Sequence, residues 1–202
     1  PPGHYYISAP LTIYPNTVLT GAGQDATALY SYHTGAGIVS SGTVNSSAAM
    51  KILIRDLTLF NNSGANTNGG VVQICGSYFD IEHVTIYGFK YGVVFDQSEV
   101  ATVKHSAITP LGTGGIGVWL VNGSGYHNYG GSGANEGFTN AITIAGNIFT
   151  GAVSSSNSYG ILDEGGASHH IYDNTFNASF AYHFYGSGVL SLPIDNNEME
   201  GS

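Results

Sequence analysis

The sequence has few charged side chains, and very few of those are basic. Charged residues make up 8% of the 202 residues, with 4 Lys and Arg against 13 Asp and Glu and a formal net charge of −9. Nucleic-acid binding depends on clustered Lys and Arg, and anionic membrane surfaces attract the same residues. The composition therefore argues against nucleic acid and against an anionic membrane surface as partners.

Cysteine, long apolar runs and helical periodicity are also missing. Cys75 is the only cysteine, which excludes an internal disulfide and a cysteine metal cluster. No apolar run is long enough to insert in a membrane as a helix, and no apolar stripe of period 3.6 is sustained. The chain consists instead of short apolar segments separated by Gly, Asn and Ser, with 14 tyrosines. This composition indicates an ordered protein built from strands.

One short pattern recurs six times along the chain. Its windows are "IRDLTLFN" from Ile54, "IEHVTIYG" from Ile81, "VKHSAITP" from Val103, "IAGNIFTG" from Ile144, "IYDNTFNA" from Ile171 and "IDNNEMEG" from Ile194. Position one is Ile or Val in every window, and position six is always apolar. The regular return of two apolar positions indicates structural units that bury their inner sides against one another.

A second strand-like segment lies in each interval between these windows. The segments are "GVVQI" at 70–74, "GVVFD" at 92–96, "GIGVW" at 115–119, "GILDE" at 160–164 and "AYHFY" at 181–185. The windows begin 27, 22, 41, 27 and 23 residues apart, and the long interval contains a Gly-rich segment at 122–140. This spacing predicts a solenoid of stacked rungs. We expect a single domain over residues 1–202, with the Gly-rich segment as a loop insertion.

Position four of the pattern is Asn in the last three windows, at Asn147, Asn174 and Asn197. Asn tolerates the left-handed backbone conformation that a sharp corner between strands requires. Amides stacked one above another also bond along a solenoid and satisfy polar groups near its core. We therefore expect a corner of left-handed asparagines that stack from rung to rung.

Together with the N-terminal stretch "PPGHYYISAPLTIYPNTVLTGAGQDATAL", the pattern resembles the pectin-lyase-like superfamily of parallel β-helix proteins. The N-terminal stretch looks like the first rung of the phage tailspike and pectate-lyase-3 type members. The resemblance implies an all-β, right-handed parallel β-helix of about seven rungs, as a fragment of a longer helix. It also implies an extracellular or virion-tail location and, by similarity to tailspikes, a homotrimer.

Two carboxylates of the second segments form the first candidate site. Aligning those segments by their last residues places one column of side chains on the solenoid, namely Ile74, Asp96, Trp119, Glu164 and Tyr185. Asp96 and Glu164 then flank Trp119 two rungs apart, about 10 Å between backbones, close to the carboxyl separation of inverting glycosidases. We predict that the catalytic acid and base come from Asp96, Glu164 and Asp163, whose side chain points to the face opposite Glu164.

Aromatic side chains near this column are the predicted sugar contacts. Trp119 is placed to stack on a sugar ring, and the insertion after its strand carries Tyr126, His127 and Tyr129 among glycines. Long loops on rigid scaffolds often carry function, so we expect these three side chains to contact a glycan. A contact between subunits and a loop without function are the alternatives.

No metal site and no cofactor are predicted. His83 and His105 share position three of adjacent windows, but a third ligand is not evident, so a surface ladder is the preferred interpretation. The resemblance links polysaccharide lyases of this superfamily to calcium-binding carboxylates. Ca²⁺ is therefore expected only if the chain is a lyase.

The function that these patterns favour is binding and hydrolysis of a bacterial surface polysaccharide by a β-helix of the phage tailspike type. A non-catalytic shaft or adhesin is the alternative from a different class, because this fold hosts both enzymes and inert shafts. A polysaccharide lyase or uronate epimerase is the further alternative. The net charge of −9 disfavours a lyase, because the chain would repel an acidic polymer.

Overall fold

A computed structural model describes residues 1–41, 49–64, 67–121, 139–151, 157–177 and 180–200. Within these ranges every regular element is a β-strand, and a helix that is long and apolar enough to span a membrane is not found. The strands are β1 (Gly3–Ile7), β2 (Leu11–Thr12), β3 (Val18–Thr20), β4 (Thr27–Ser31), β5 (Ile38–Ser41), β6 (Ala49–Asn61), β7 (Gly69–Tyr87), β8 (Tyr91–Lys104), β9 (Ala107–Thr109), β10 (Ile116–Val121), β11 (Asn140–Ala145), β12 (Ile148–Thr150), β13 (Tyr159–Asp163), β14 (Gly166–Ala167), β15 (His170–Tyr172), β16 (Thr175–Asn177), β17 (Tyr182–Gly186), β18 (Val189–Leu190), β19 (Ile194–Asp195) and β20 (Glu198–Glu200).

The strands pair in parallel with the strands one turn later, which makes the chain a coil with three sheets. Sheet A contains β3, β6, β7, β8, β11, β15 and β19. Sheet B contains β2, β5, β7, β8, β10, β13 and β17. Sheet C contains β1, β4, β6, β7, β9, β12, β16 and β20. The long strands β6, β7 and β8 bend around corners and join more than one sheet. The predicted parallel β-helix is confirmed, and seven strands follow one another in sheet A.

The repeat found in the sequence is the register of the coil. Position one forms a column in sheet A that runs from Ile54 to Ile194. Position six forms a column in sheet C, where the buried rings of Phe149 and Phe176 stack with centroids 4.9 Å apart. Both columns belong to one continuous core inside the coil as far as Ile171 and Phe176, whereas Ile194 and Met199 on the last rung are 41% and 53% exposed. The predicted spacing of the rungs is therefore confirmed.

Two columns of left-handed residues turn the corners of the coil. The first occupies position three of the pattern: Asp56, His83, His105, Gly146, Asp173 and Asn196. The second lies three residues before position one: Asn16, Lys51, Tyr78, Val100, Ala141, Ser168 and Ser191. The prediction of left-handed asparagines at position four was wrong by one residue. Position three turns the chain, and position four then points inward.

The asparagines at position four form the predicted stack. Asn147 Nδ2 donates to Asn174 Oδ1 at 3.0 Å, and Asn174 Nδ2 donates to Asn197 Oδ1 at 2.9 Å. Each accepting oxygen also takes the backbone N–H of the asparagine one rung earlier, at 3.0 Å. Asn147 and Asn174 are each 1% exposed. The stack therefore satisfies buried amide and backbone groups together.

A column of glycines sets the register of sheet B. Gly92, Gly117 and Gly160 directly precede the paired core residues of β8, β10 and β13. A Cβ on Gly117 would lie 2.4 Å from the Gly160 carbonyl oxygen and 2.7 Å from the ring of Phe149, so only glycine fits there. The predicted alignment by last residues was therefore wrong for "GIGVW". Its second glycine occupies the column, and the strand continues to Val121.

Side chains of sheet B alternate between the core and a second apolar cluster on the outside. Val93 and Val118 belong to the core inside the coil. The outer cluster contains Ala36, Val39, Val72, Ile74, Cys75, Val94, Ile116, Trp119, Val121 and Leu162. The outer face of sheet B is therefore largely buried, in contrast to an ordinary exposed strand face.

Candidate functional site

The outer face of sheet B brings together two of the predicted acids. Asp96 pairs in register with Val121 on the next rung. Glu164 lies one position beyond the register partner of Leu120 and donates its N–H to the Leu120 carbonyl oxygen at 3.0 Å. Asp96 and Glu164 are thus two rungs apart, about 10 Å between backbones. The residue between them is Val121, which corrects the predicted position of Trp119.

Trp119 lies on the same face, because alternate side chains of a strand share a face. The register partners of Trp119 are Val94 and Leu162. The sequence placed Tyr185 next to Glu164 in the column of side chains, but Tyr185 pairs with Leu162. Trp119 is 8% exposed. The predicted sugar platform is therefore enclosed within the outer cluster.

The two acids on this face differ in their access to solvent. Asp96 is 3% exposed and lies between Ile74 and Val121 of the outer cluster. Glu164 is partly exposed. Water therefore reaches the Glu164 carboxylate more easily than that of Asp96.

Tyr91 belongs to this face and was missed in the sequence. Its ring centroid lies 4.9 Å from that of Trp119, at an angle of 58°. Burial raises the pKa of the Tyr91 hydroxyl, and the Glu164 carboxylate raises it further. The sequence did contain a signal for Tyr91: a large side chain stands directly before each glycine of the column, as Tyr91, Ile116 and Tyr159 do.

Asp163 points into the coil and does not share this face. It is 0% exposed, and its Oδ1 accepts the N–H of Gly165 at 3.1 Å. Its Oδ2 lies 3.8 Å from Nε2 of His169, which is also 0% exposed and accepts the Ile142 N–H on Nδ1 at 3.2 Å. The opposite orientation of Asp163 and Glu164 was predicted. The sequence left open which of them faces the interior.

The pKa values of this inner pair move in opposite directions. Burial raises the pKa of Asp163 to about 6, the Gly165 N–H lowers it in part, and the Glu164 charge raises it. Burial lowers the pKa of His169 to about 4, against the smaller raising effect of nearby backbone groups. Around pH 5 both groups are therefore mostly neutral, so their contact is not an ion pair.

The predicted glycan contacts Tyr126, His127 and Tyr129 lie in the Gly-rich insertion, outside the described residues. Their role stays a prediction. The described face of sheet B thus supplies Asp96, Glu164, Tyr91 and Trp119.

The histidine ladder lies on a different corner. The rings of His83 and His105 stack at 17° with centroids 5.3 Å apart, and His83 Nδ1 lies 3.8 Å from an oxygen of Asp56. Nowhere in the described ranges do three His, Cys, Asp or Glu side chains converge to hold a metal ion. The expectation about Ca²⁺ stays a prediction.

Basic side chains collect on the outer side of sheet A. Arg55 and Lys104 flank Glu82 in register. Lys51 lines a shallow depression of about 300 Å³ together with Tyr78. Three of the 4 basic residues of the chain thus lie in one region, and acids lie among them: Arg55 Nε is 3.5 Å from Asp56 Oδ2, and Asp80 lines the depression with Lys51.

Neither a protein-family model nor a curated protein sequence matches the chain, but solved structures do. The protein ORF18 of Geobacillus virus E2 has a TM-score of 0.65 at 13% identity, over 99% of this chain and 52% of its own. The catalytic domain of a GH87 α-1,3-glucanase in complex with nigerose has a TM-score of 0.65 at 16% identity, over 98% of this chain and 40% of its own. An alginate lyase from Paenibacillus sp. str. FPU-7 has a TM-score of 0.65 at 18% identity, over 96% of this chain and 65% of its own.

These likenesses establish the fold. Each of these structures superposes on 96% to 99% of this chain, which supports the expected parallel β-helix fold. The chain spans about half the length of the virus protein and 40% to 65% of the two enzymes.

Proposed function

We propose that this chain binds a bacterial surface polysaccharide on the outer face of sheet B and hydrolyses it, as a depolymerase of the phage tailspike type. The observation that carries the proposal is the position of Asp96 and Glu164, two rungs apart on one face beside the contacting rings of Tyr91 and Trp119. Their backbones are about 10 Å apart, and inverting glycosidases hold their two carboxyls about 6.5–9.5 Å apart.

The different access of the two acids to water assigns their roles. Glu164 is partly exposed and Asp96 is 3% exposed. Glu164 is the base that takes a proton from the water attacking the anomeric carbon. Asp96 is the acid that gives a proton to the leaving glycosidic oxygen as its bond to that carbon breaks, and the substrate must displace the side chains that cover Asp96 to reach it. Asp163, the third predicted acid, is left out because its carboxyl lies inside the coil.

Tyr91 is the sugar contact on the described part of this face. Its ring is partly exposed, and Trp119 packs against it from within the outer cluster. A flat aromatic ring offers apolar surface to the C–H groups of a sugar ring, so Trp119 positions Tyr91 for this contact. Tyr126, His127 and Tyr129, which lie outside the described residues, are further sugar contacts in this proposal.

Such an activity belongs outside the bacterial cell, on a secreted protein or on a virion tail, in a homotrimer as in tailspikes. Similarity of fold to a virus protein and to two polysaccharide-degrading enzymes supports this location. Light scattering of the purified chain measures the oligomeric state directly.

A lyase acting on an acidic polysaccharide is the second candidate, and a uronate epimerase is related to it. The likeness of fold to an alginate lyase supports it. The net charge of −9 repels an acidic polymer, and Arg55, Lys104 and Lys51 reduce that repulsion only in part, because Asp56, Glu82 and Asp80 lie beside them. Elimination leaves an unsaturated sugar that absorbs ultraviolet light, whereas hydrolysis does not. Epimerisation changes the ratio of uronic acids without cleavage.

The test is incubation of the chain with a panel of purified bacterial surface polysaccharides. We expect new reducing ends without ultraviolet-absorbing product. Asp96→Asn and Glu164→Gln should each lower the rate about 10²–10⁴-fold. Glu198→Gln, at an exposed carboxylate of sheet C, is the matched control and should leave the rate unchanged.

Other products would change the assignment. Ultraviolet-absorbing ends would replace hydrolysis with elimination. A panel that yields no product of any kind would assign the chain to the non-catalytic shafts or adhesins.

A further inference from the structure

The outer face of sheet C carries a row of aromatic side chains. Tyr6, Tyr30, Phe60 and Tyr87 are successive register partners on four rungs. Their ring centroids lie 5.7, 5.4 and 5.2 Å apart. These four side chains are called the aromatic row below.

The two ends of the aromatic row are exposed, unlike the stacked rings of Phe149 and Phe176. Tyr6 is 68% and Tyr87 is 47% exposed, whereas Phe149 and Phe176 stack inside the coil at 0% and 1%. Stacking between rungs accounts for the inner rings, which are removed from water. Contiguous aromatic surface that remains in water marks an interaction site.

The aromatic row ends in a step. Phe60 lies parallel to Tyr87, at 3° and 5.2 Å, and covers one face of its ring. The next register partner of Tyr87 is Thr109, on a strand about 4.8 Å further along the coil. A threonine is too small to cover the second face of the Tyr87 ring. A flat ring placed above Thr109 would lie against the face of Tyr87 that Phe60 does not cover.

The surroundings of the aromatic row carry hydroxyls, and the His4 ring lies 5.2 Å from the ring of Tyr30. Tyr87 is flanked along and across its strand by Thr85, Thr109 and Ala107. In the segments that pair within sheet C, Asp, Glu, Lys and Arg occur only on β20, at Glu198 and Glu200. A chain with a net charge of −9 thus presents one uncharged face.

This combination fits the chemistry of a neutral sugar. Flat rings accept the C–H face of a pyranose, and neighbouring hydroxyls bond to its hydroxyl groups. Nucleic acid would require basic side chains. An acidic polymer would find no Lys or Arg on this face to attract it, and the net negative charge of the chain would repel it.

We propose that the aromatic row is a second glycan-binding site, specific for an uncharged polysaccharide, with one sugar ring stacked on Tyr87 above Thr109. The site lies on a different sheet from Asp96 and Glu164. It does not depend on cleavage, so the two proposals fail separately.

The test is electrophoresis in native gels that contain dextran, laminarin, mannan or alginate. The chain is used as its Glu164→Gln variant, so that cleavage does not enter. We expect retardation by at least one of the three neutral polymers and none by alginate. Tyr87→Ser should weaken the interaction about tenfold.

Two further variants separate binding from folding. Thr109→Tyr extends the aromatic row by one ring and fills the step, so it should abolish retardation while the melting temperature stays the same or rises. Tyr14→Ser removes a tyrosine that is 70% exposed and outside the strands of sheet C, and it should bind like the parent.

Several results would overturn the proposal. They are no retardation by any neutral polymer, equal retardation by alginate, and retardation that survives both Tyr87→Ser and Thr109→Tyr. Self-association in light scattering that the same two variants abolish would show that the row joins copies of this chain instead.

Discussion

The asparagine stack and the inner pair are two of the polar groups inside the coil, and their hydrogen bonding is opposite. In the asparagine stack, Asn174 uses Nδ2 for Asn197 and for the Ile144 carbonyl oxygen, and its Oδ1 accepts two N–H groups of Asn147. In the inner pair, Asp163 Oδ2 and His169 Nε2 face each other at 3.8 Å, and neither atom has a hydrogen bond within the described residues.

Because of this difference, the asparagine stack is insensitive to pH, whereas the inner pair responds to it. Satisfied amides hold no proton that titrates, so the stack contributes the same stability at every ordinary pH. The inner pair consists of two buried titratable groups with shifted pKa values. Asp163 is also the direct neighbour of Glu164, the proposed base. The stack therefore fixes the rungs, and the pair links the interior to the proposed site.

Breaking the stack should have the largest effect on stability. Asn174→Ala removes the acceptor of two buried N–H groups of Asn147. It also removes the N–H donor to the Ile144 carbonyl oxygen and to Asn197 Oδ1. We expect a loss of about 4 kcal/mol, because each buried group left unsatisfied costs about 1–3 kcal/mol. The measurement is the midpoint of unfolding in denaturant.

The matched control for this loss is Asn174→Ser. Ser106 occupies the same column, where its hydroxyl accepts the Val84 N–H at 3.1 Å. A serine should therefore retain part of the stack, and its loss should be about half that of alanine. Equal losses for Ala and Ser would show that side-chain volume, not hydrogen bonding, is what the position needs.

In the native chain the two titrations of the inner pair oppose each other. Folded His169, with its pKa lowered from 6.5 to about 4, binds fewer protons than unfolded histidine between these values, so it makes stability rise with pH. Folded Asp163, with its pKa raised from 3.8 to about 6, binds more protons than unfolded aspartate, so it makes stability fall with pH. The sum is nearly flat between pH 4 and 6.

Asp163→Asn should therefore expose the slope of His169. We expect stability to rise by about 3 kcal/mol from pH 4 to 6.5, since each pKa unit is worth about 1.4 kcal/mol. Denaturant unfolding at half-unit pH steps measures the slope. A curve as flat as that of the native chain would show that His169 is already charged or already solvated in the folded state.

His169→Gln should expose the opposite slope. With Asp163 left alone, stability should fall by about 3 kcal/mol as pH rises from 4 to 6. The double variant Asp163→Asn, His169→Gln is the control and should return to a flat curve. If the single variant showed a rise instead, the Asp163 carboxylate would be ionised at low pH and hydrogen-bonded to another group.

The asparagine stack could be predicted from the sequence, and the inner pair could not. Asn147, Asn174 and Asn197 stand at one position of a repeat whose apolar anchors are regular, so their neighbours follow from counting. The corner one residue earlier was missed, because Asp, His and Gly share the left-handed position with Asn and present no single residue type to find.

The register of sheet B was harder, because "GIGVW" contains two glycines. Only the close approach of the Gly117 position to the Gly160 carbonyl and to Phe149 selects the second one, and that contact exists only in three dimensions. Strand alternation predicted that Asp163 and Glu164 face opposite ways. His169 reaches Asp163 from a different strand connection, and no pattern in the sequence pairs them.

The smallest expected effect tests the link between the inner pair and the proposed site. The Glu164 charge raises the pKa of Asp163, as the last of its causes after burial and the Gly165 N–H. Glu164→Gln should therefore shift the Asp163 titration to lower pH, which carbon NMR of the Asp163 carboxyl measures. Glu198→Gln, on sheet C, should leave that titration in place. An unchanged Asp163 titration in Glu164→Gln would mean that solvent screens the two carboxyls from each other, and that the interior does not sense the charge of the proposed base.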